Sequence, residues 1–179
     1  MAMPPESPLA KAQAYRTARR AFIAACEDAG VDAIARLHPA KPADGKPLFM
    51  DSAALGPRRA ERAVLALAWD SAGSAIQTDL LRAAIALPDD ARLVLVHACD
   101  PAGFAGAESN AGWPIAMLGA VATEDLSRVQ RLAVLPLGLA GDDLLPVLAA
   151  RLPKAAVTLL ARADNGAAAE AAIRDFLAQ

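Results

Sequence analysis

The chain has 179 residues, with 18 Lys and Arg against 20 Asp and Glu and a net charge of -2. Nothing in that balance suggests the clustered basic excess of a nucleic-acid-binding surface, and the length suits one domain over residues 1–179 that buries roughly 70% of its unfolded surface. The composition is 55% hydrophobic but only 4% aromatic, so the core is assembled from small side chains that each bury little area.

The chain opens without the charged start, apolar core and cleavage site of a signal peptide. It also lacks the uninterrupted run of ~20 apolar residues that crosses a bilayer. Cys26 and Cys99 fall on an expected helix and an expected strand and read as buried thiols, consistent with a reducing cytoplasm. A mean hydropathy of +0.29 in so small a chain points to burial between subunits, and a homodimer is expected.

Ser7 before Pro8 is a helix start, a capping side chain followed by proline in the first turn. Leu9, Ala12, Tyr15, Ala18, Phe22 and Cys26 continue it at helical spacing to Gly30, a left-handed stop. Within it Arg16, Arg19 and Arg20 read as a solvated face. A strand follows at Val31–Leu37. Asp44-Gly45 marks a turn, and Leu48–Ala53 returns as an antiparallel strand. Ala63–Trp69 is an apolar run of buried-strand type, followed by a helix over Ser71–Leu87 and a strand over Arg92–Ala98.

The Gly- and Ala-rich stretch Ala105–Met117 gives no clear pattern. Thr123 with Glu124 and Asp125 reads as the opening of a short helix. Leu132–Leu137 is a strand, Asp142–Arg151 a helix, Ala155–Ala161 a strand and Gly166–Ala178 a closing helix. Strands alternating with helices predict an α/β fold: a three-layer sandwich with a mixed, mainly parallel sheet and helices on both faces.

Three segments carry a resemblance. They are HPAKPADGKPLFMDSAALGP from His38 to Pro57, GSAIQ from Gly73 to Gln77, and VHACDPAGF from Val96 to Phe104. In order and spacing they resemble a bacterial zinc carboxypeptidase-like family of unknown function, over residues 10–110; residues 111–179 are an unassigned α/β continuation. The resemblance implies a trimmed carboxypeptidase core. It also implies a zinc held by an H-x-x-E pair on the loop before Gly73 together with a later histidine.

Only Asp70, Ser71 and Ala72 stand in that loop, and the two histidines of the chain, His38 and His97, match no ligand position of the family. Catalytic zinc needs three protein ligands and an open position. The family continues after its N-P-x-G-F with an Asn-Arg pair expected to grip a substrate carboxylate. Here Glu108-Ser109-Asn110 is followed by a divergent stretch that places Pro114 and Ile115 at those positions. The expectation is a degenerate, non-catalytic member with no metal and no cofactor, a binding or assembly module with an unidentified protein partner.

Other chemistries stay open. Ser71, in Trp69-Asp70-Ser71-Ala72-Gly73, sits between a strand and a helix like a nucleophile elbow, though it also reads as a helix N-cap. His97 and Asp100 lie at a strand's C-terminal end, where open α/β sheets bind ligands. His97 also reads as a core residue and Asp100 as a turn former. If the protein is active as a hydrolase or small-molecule binder, the candidates are Ser71, His97, Asp100 and Glu108, converging on one strand-end cleft. A purely structural homo-oligomer is a third reading. The Gly138–Asp142 segment has the outline of a phosphate loop, but Asp142 and Asp143 would repel phosphate.

Overall fold

A computed structural model of the chain describes residues 6–110, 112–137, 148, 150–152 and 154–179. Its elements run α1 (Pro8–Asp28), β1 (Ala33–His38), β2 (Leu48–Leu55), β3 (Arg62–Ala68), α2 (Ser71–Arg82), β4 (Ala91–His97), α3 (Pro101–Phe104), α4 (Gly112–Asp125), β5 (Arg131–Leu137), β6 (Ala156–Leu159) and, as α5, Gly166–Leu177. The six strands form one sheet in the order β1-β2-β4-β3-β5-β6. The pairs β1–β2 and β2–β4 are antiparallel, whereas β3–β4, β3–β5 and β5–β6 are parallel. The sheet is therefore mixed and mainly parallel, as the alternation of elements predicts.

Both faces are covered. Phe22 and Cys26 of α1, Ile76 and Leu80 of α2, and Ile173 and Phe176 of α5 pack on Val64, Leu93, Leu95 and Leu135. On the other face Leu118, Val121 and Ala122 of α4, with Leu126, pack on Leu65, Leu67, Val94 and Val134. The central strands β3, β4 and β5 meet helices on both sides, so they are continuous apolar runs rather than alternating ones. Arg62, the first residue of β3, pairs with Asp90 at 2.6 Å and also donates to the carbonyl of Leu177 at the end of α5. No helix among the described residues is long and apolar enough to cross a membrane.

Several elements depart from the sequence reading. The helix after β3 stops at Arg82 rather than Leu87, because Ala84 takes a left-handed conformation (φ 48°). Thr123, Glu124 and Asp125 close a helix instead of opening one: Thr123 Oγ1 donates back to the Gly119 carbonyl at 2.9 Å. Glu124 pairs with Arg36, and Asp125 pairs with the buried Arg92 at 2.7 Å, so neither is a purely solvated helix-end charge. Most of the helix expected over Asp142–Arg151, and the loop Gly138–Asp142, lie outside the described residues.

Arg16 and Arg19 do not form a solvated face either. Arg16 pairs with Asp44 at 3.0 Å and donates to the carbonyls of Lys46 and Pro47. Arg19 reaches Asp51. The turn signal at Asp44-Gly45 is real, with Gly45 at φ 68°, but its carboxylate also fastens the turn to α1.

Candidate functional site

β3 and β4 run parallel, so their C-terminal ends share one edge of the sheet. Trp69 and Asp70 follow β3, Asp100 follows β4, and the start of α1 crosses in front. Together they frame a cleft of about 670 Å³ lined by Lys11, Trp69, Asp70, Ser71, Asp100 and Phe104, among others. Ligands of open α/β sheets lodge at this edge.

The motif residues retained here hold the scaffold. Gly73 lies against β5: a Cβ there would stand 2.6 Å from the Leu137 carbonyl oxygen and 3.0 Å from Ala68 Cβ. Gln77, buried one turn further along α2, donates through Nε2 to the carbonyls of Ala66 and Val96, both at 3.0 Å. It thereby rivets the helix across β3 and β4. Asp70, not Ser71, caps α2, accepting from the Gly73 N–H at 2.8 Å. The two neighbours are both good capping residues, and the chain entering from β3 brings the carboxylate to the amide. Ser71 is the first helical residue and is exposed to the cleft. Asp100 caps the single turn of α3, accepting from Gly103 N–H at 3.1 Å and from the Ser109 hydroxyl at 2.6 Å.

His97 does not join them. It is fully buried, stacked on Phe22 with ring centroids 4.9 Å apart, with Tyr15 and Phe104 at 6.5 and 6.3 Å. Its register partner across β2–β4 is Asp51, whose carboxylate lies 3.8 Å from His97 Nδ1. That is an electrostatic contact, too long for a hydrogen bond. Asp51 is itself fully buried and holds Arg19 in a two-pronged pair at 2.7 and 2.8 Å. Glu108 lies elsewhere again, on a separate cavity with His38 and Lys41. Of the four sequence candidates the fold thus brings together Ser71 and Asp100, leaving His97 inside the core and Glu108 around the corner. The expected convergence of all four is not observed.

The Arg19–Asp51–His97 cluster was missed in the sequence. The one hint was an acidic residue in the otherwise apolar strand Leu48–Leu55, which demands a buried partner. Tyr15 completes the surroundings. Its hydroxyl donates to the Phe49 carbonyl and accepts from the Phe49 N–H, at 2.9 and 2.8 Å, and burial pushes its pKa up to about 12.

Burial pushes His97 below its ordinary value of 6.5, and Asp51 restores only part of this. For Asp51, burial alone would raise the value; His97 and Arg19 outweigh it and hold the carboxyl below the usual 3.8. The two effects share a sign. Between the folded value of His97 and 6.5 the unfolded chain binds the extra proton, so stability falls as pH drops below 6.5. The Asp51 contribution is present above 3.8 and is lost as pH falls further, through its folded value. His38, also lowered by burial, acts in the same direction as His97. We expect the urea midpoint to fall between pH 7 and pH 5, and His97→Phe to flatten that slope. An unchanged slope in the variant would remove His97 from the account.

The described residues do not fit a catalytic zinc. Three protein ligands are needed, yet Asp70 and Asp100 cap helices and His97 is sealed behind aromatic rings. Among the described residues no group of three or more His, Cys, Asp or Glu is placed to hold a metal ion.

In comparison with known proteins, the family profile described as "Protein of unknown function (DUF2817)" matches residues 12–110. No curated protein matches the sequence. Among solved structures, the chain is similar to glutaminyl cyclase of Porphyromonas gingivalis (10% identity, 72% of this chain and 60% of that one, TM-score 0.41). It is also similar to the LapA aminopeptidase of Legionella pneumophila (12%, 69% and 35%, 0.42) and to the esterase LipW of Mycobacterium marinum (18%, 99% and 64%, 0.45). The chain spans less than two thirds of each of these proteins.

Proposed function

Because the chain belongs to the DUF2817 family of proteins of unknown function, we propose that it keeps a carboxypeptidase-like scaffold and works as a non-catalytic binding or assembly module. The observation that carries this reading is the use made of the retained motif residues. Gly73 permits close packing, Gln77 ties α2 to two strands, and Asp70 and Asp100 are helix caps. Hydrolysis without a metal would need a nucleophile and a base within hydrogen-bond reach. Ser71 lines the cleft, and the imidazole of His97 lies behind it in the core.

Elemental analysis of the purified protein, run beside peptidase, amidase and esterase assays, tests the reading. The expected result is zinc far below one per chain and no turnover above the blank, with Ser71→Ala indistinguishable from the parent. Stoichiometric zinc together with peptidase or amidase turnover would overturn it.

A second reading, small-molecule binding at the strand-end cleft, is favoured by the cleft's size, which falls in the range of ligand pockets, and by the half-buried Trp69 in its wall. For assembly, the support is β1. It lies at the edge of the sheet, with Ile34 47% and Leu37 61% exposed, an arrangement that invites pairing with a second copy. The unpaired, buried Cys26 and Cys99 suit a cytoplasmic setting.

A further inference from the structure

We propose that the cavity between residues 38–41 and 108–110 binds a small zwitterion, an amino acid or dipeptide. His38, Lys41 and Asn110 would hold its carboxylate and Glu108 its ammonium. The site shares no lining residue with the strand-end cleft, and the inference goes beyond the function proposed above without resting on it.

The cavity measures about 740 Å³. His38, the last residue of β1, is 3% exposed. Its Nδ1 accepts from the Ala40 N–H at 3.0 Å. With that lone pair engaged, the neutral ring carries its proton on Nε2, and burial favours the neutral ring. Nε2 is buried and has no hydrogen-bond partner among the described residues. Buried donors are ordinarily satisfied, and a donor left over beside a cavity is the kind of group that fixes a ligand's orientation.

The opposite wall is similarly committed on one side and free on the other. The Asn110 side-chain oxygen accepts from Gly112 N–H at 3.0 Å, which leaves its amide NH2 to donate. Ser109 is already occupied, donating to Asp100, and so anchors this wall to the end of β4. Two neutral donors, one exposed ammonium (Lys41) and one exposed carboxylate (Glu108) remain. That set complements a ligand carrying both charges better than a simple anion or a simple cation. The indole of Trp113 lies edge-on against His38, ring centroids 4.3 Å apart; because Nε2 is closed to solvent, a ligand reaches it only as this contact opens, which makes Trp113 the reporter.

The chain holds two tryptophans, and each reports on a different cavity. In Trp69→Phe, where Trp113 is the sole tryptophan, titration with glycylglycine is expected to change the tryptophan emission saturably. Acetate or methylammonium alone should bind about tenfold more weakly, each lacking one of the two charge contacts. Lys41→Ala and Glu108→Gln, both at exposed positions, should each weaken glycylglycine about fivefold, and His38→Gln about tenfold.

Three results would overturn the proposal: no change in Trp113 emission or in the His38 imidazole resonances at tens of millimolar glycylglycine, acetate binding as well as glycylglycine, or a response confined to Trp69 in the Trp113→Phe protein. The last would place binding at the strand-end cleft, which separates this site from the second reading above.

Discussion

Replacing Asp51 with alanine is expected to destabilise the protein by about 3 kcal/mol, toward the lower end for a broken buried ion pair. The carboxylate is fully buried, whereas the Arg19 side chain is 26% exposed, so the guanidinium left behind can regain part of its hydration. Three interactions fail together: both prongs of the Arg19 pair, the attraction to His97, and the packing of a side chain that joins β2 to α1. For a chain of this size the loss corresponds to a fall in melting temperature of about 10 °C.

Urea denaturation should show a lower midpoint with an unchanged slope, the sign of lost stability rather than an altered unfolded state. A loss below about 1 kcal/mol would mean that the cluster is far better solvated than its burial indicates. Arg19→Met is the informative companion. It leaves Asp51 buried without its guanidinium partner, so its effect should grow with pH as the carboxyl can no longer stay protonated to avoid a buried charge.

Gly73→Ala is the second large effect, and its sign is the test. In a helix free of tertiary contacts alanine is favoured over glycine by about 1 kcal/mol. Here the added methyl would overlap the Leu137 carbonyl oxygen, and also crowd Ala68. Both are fixed by the β3–β5 ladder, whose pairs run to Ala68 and Leu137. Either the start of α2 or the end of β5 must move, at a cost of about 2 kcal/mol. Moving α2 would also disturb the Gln77 bonds to Ala66 and Val96. A stabilised Gly73→Ala protein would show that α2 does not approach the sheet as closely as described.

The parts of the fold legible in the sequence were those with a local cause. Ser7 before Pro8 and Gly30 bound α1, and the unbroken apolar runs of β3, β4 and β5 follow from helices on both faces. The helix Gly112–Asp125 was not legible. Its first eleven residues, GWPIAMLGAVA, carry no charged or hydrogen-bonding stripe apart from the indole. Without contrast between its faces there is no period to detect. Pro114 sits in the first turn, where it is tolerated, so it marked no boundary that could be recognised.

The site was legible only as a neighbourhood. The sequence places Ser71 and Asp100 at the ends of adjacent parallel strands, and that edge is where the cleft lies. It could not show that His97 faces the core, because every residue of β4 is buried and no alternation distinguishes one face from the other. Nor could it join Arg19 to Asp51 across 32 residues, since pairing at that range depends on how α1 crosses the sheet.

The fastening of Arg62 to the carbonyl of Leu177, 115 residues later in the chain, bears on how the protein reaches its native state. β3 lies inside the parallel set, between β4 and β5, and it is tied to elements from both halves of the sequence. Such distant closures are slow, because chain entropy must be lost before any contact compensates for it. Closure of that end of β3 therefore waits on the last helix of the chain, and a chain ending before α5 leaves Val64 and Leu135 without the cover of Ile173 and Phe176.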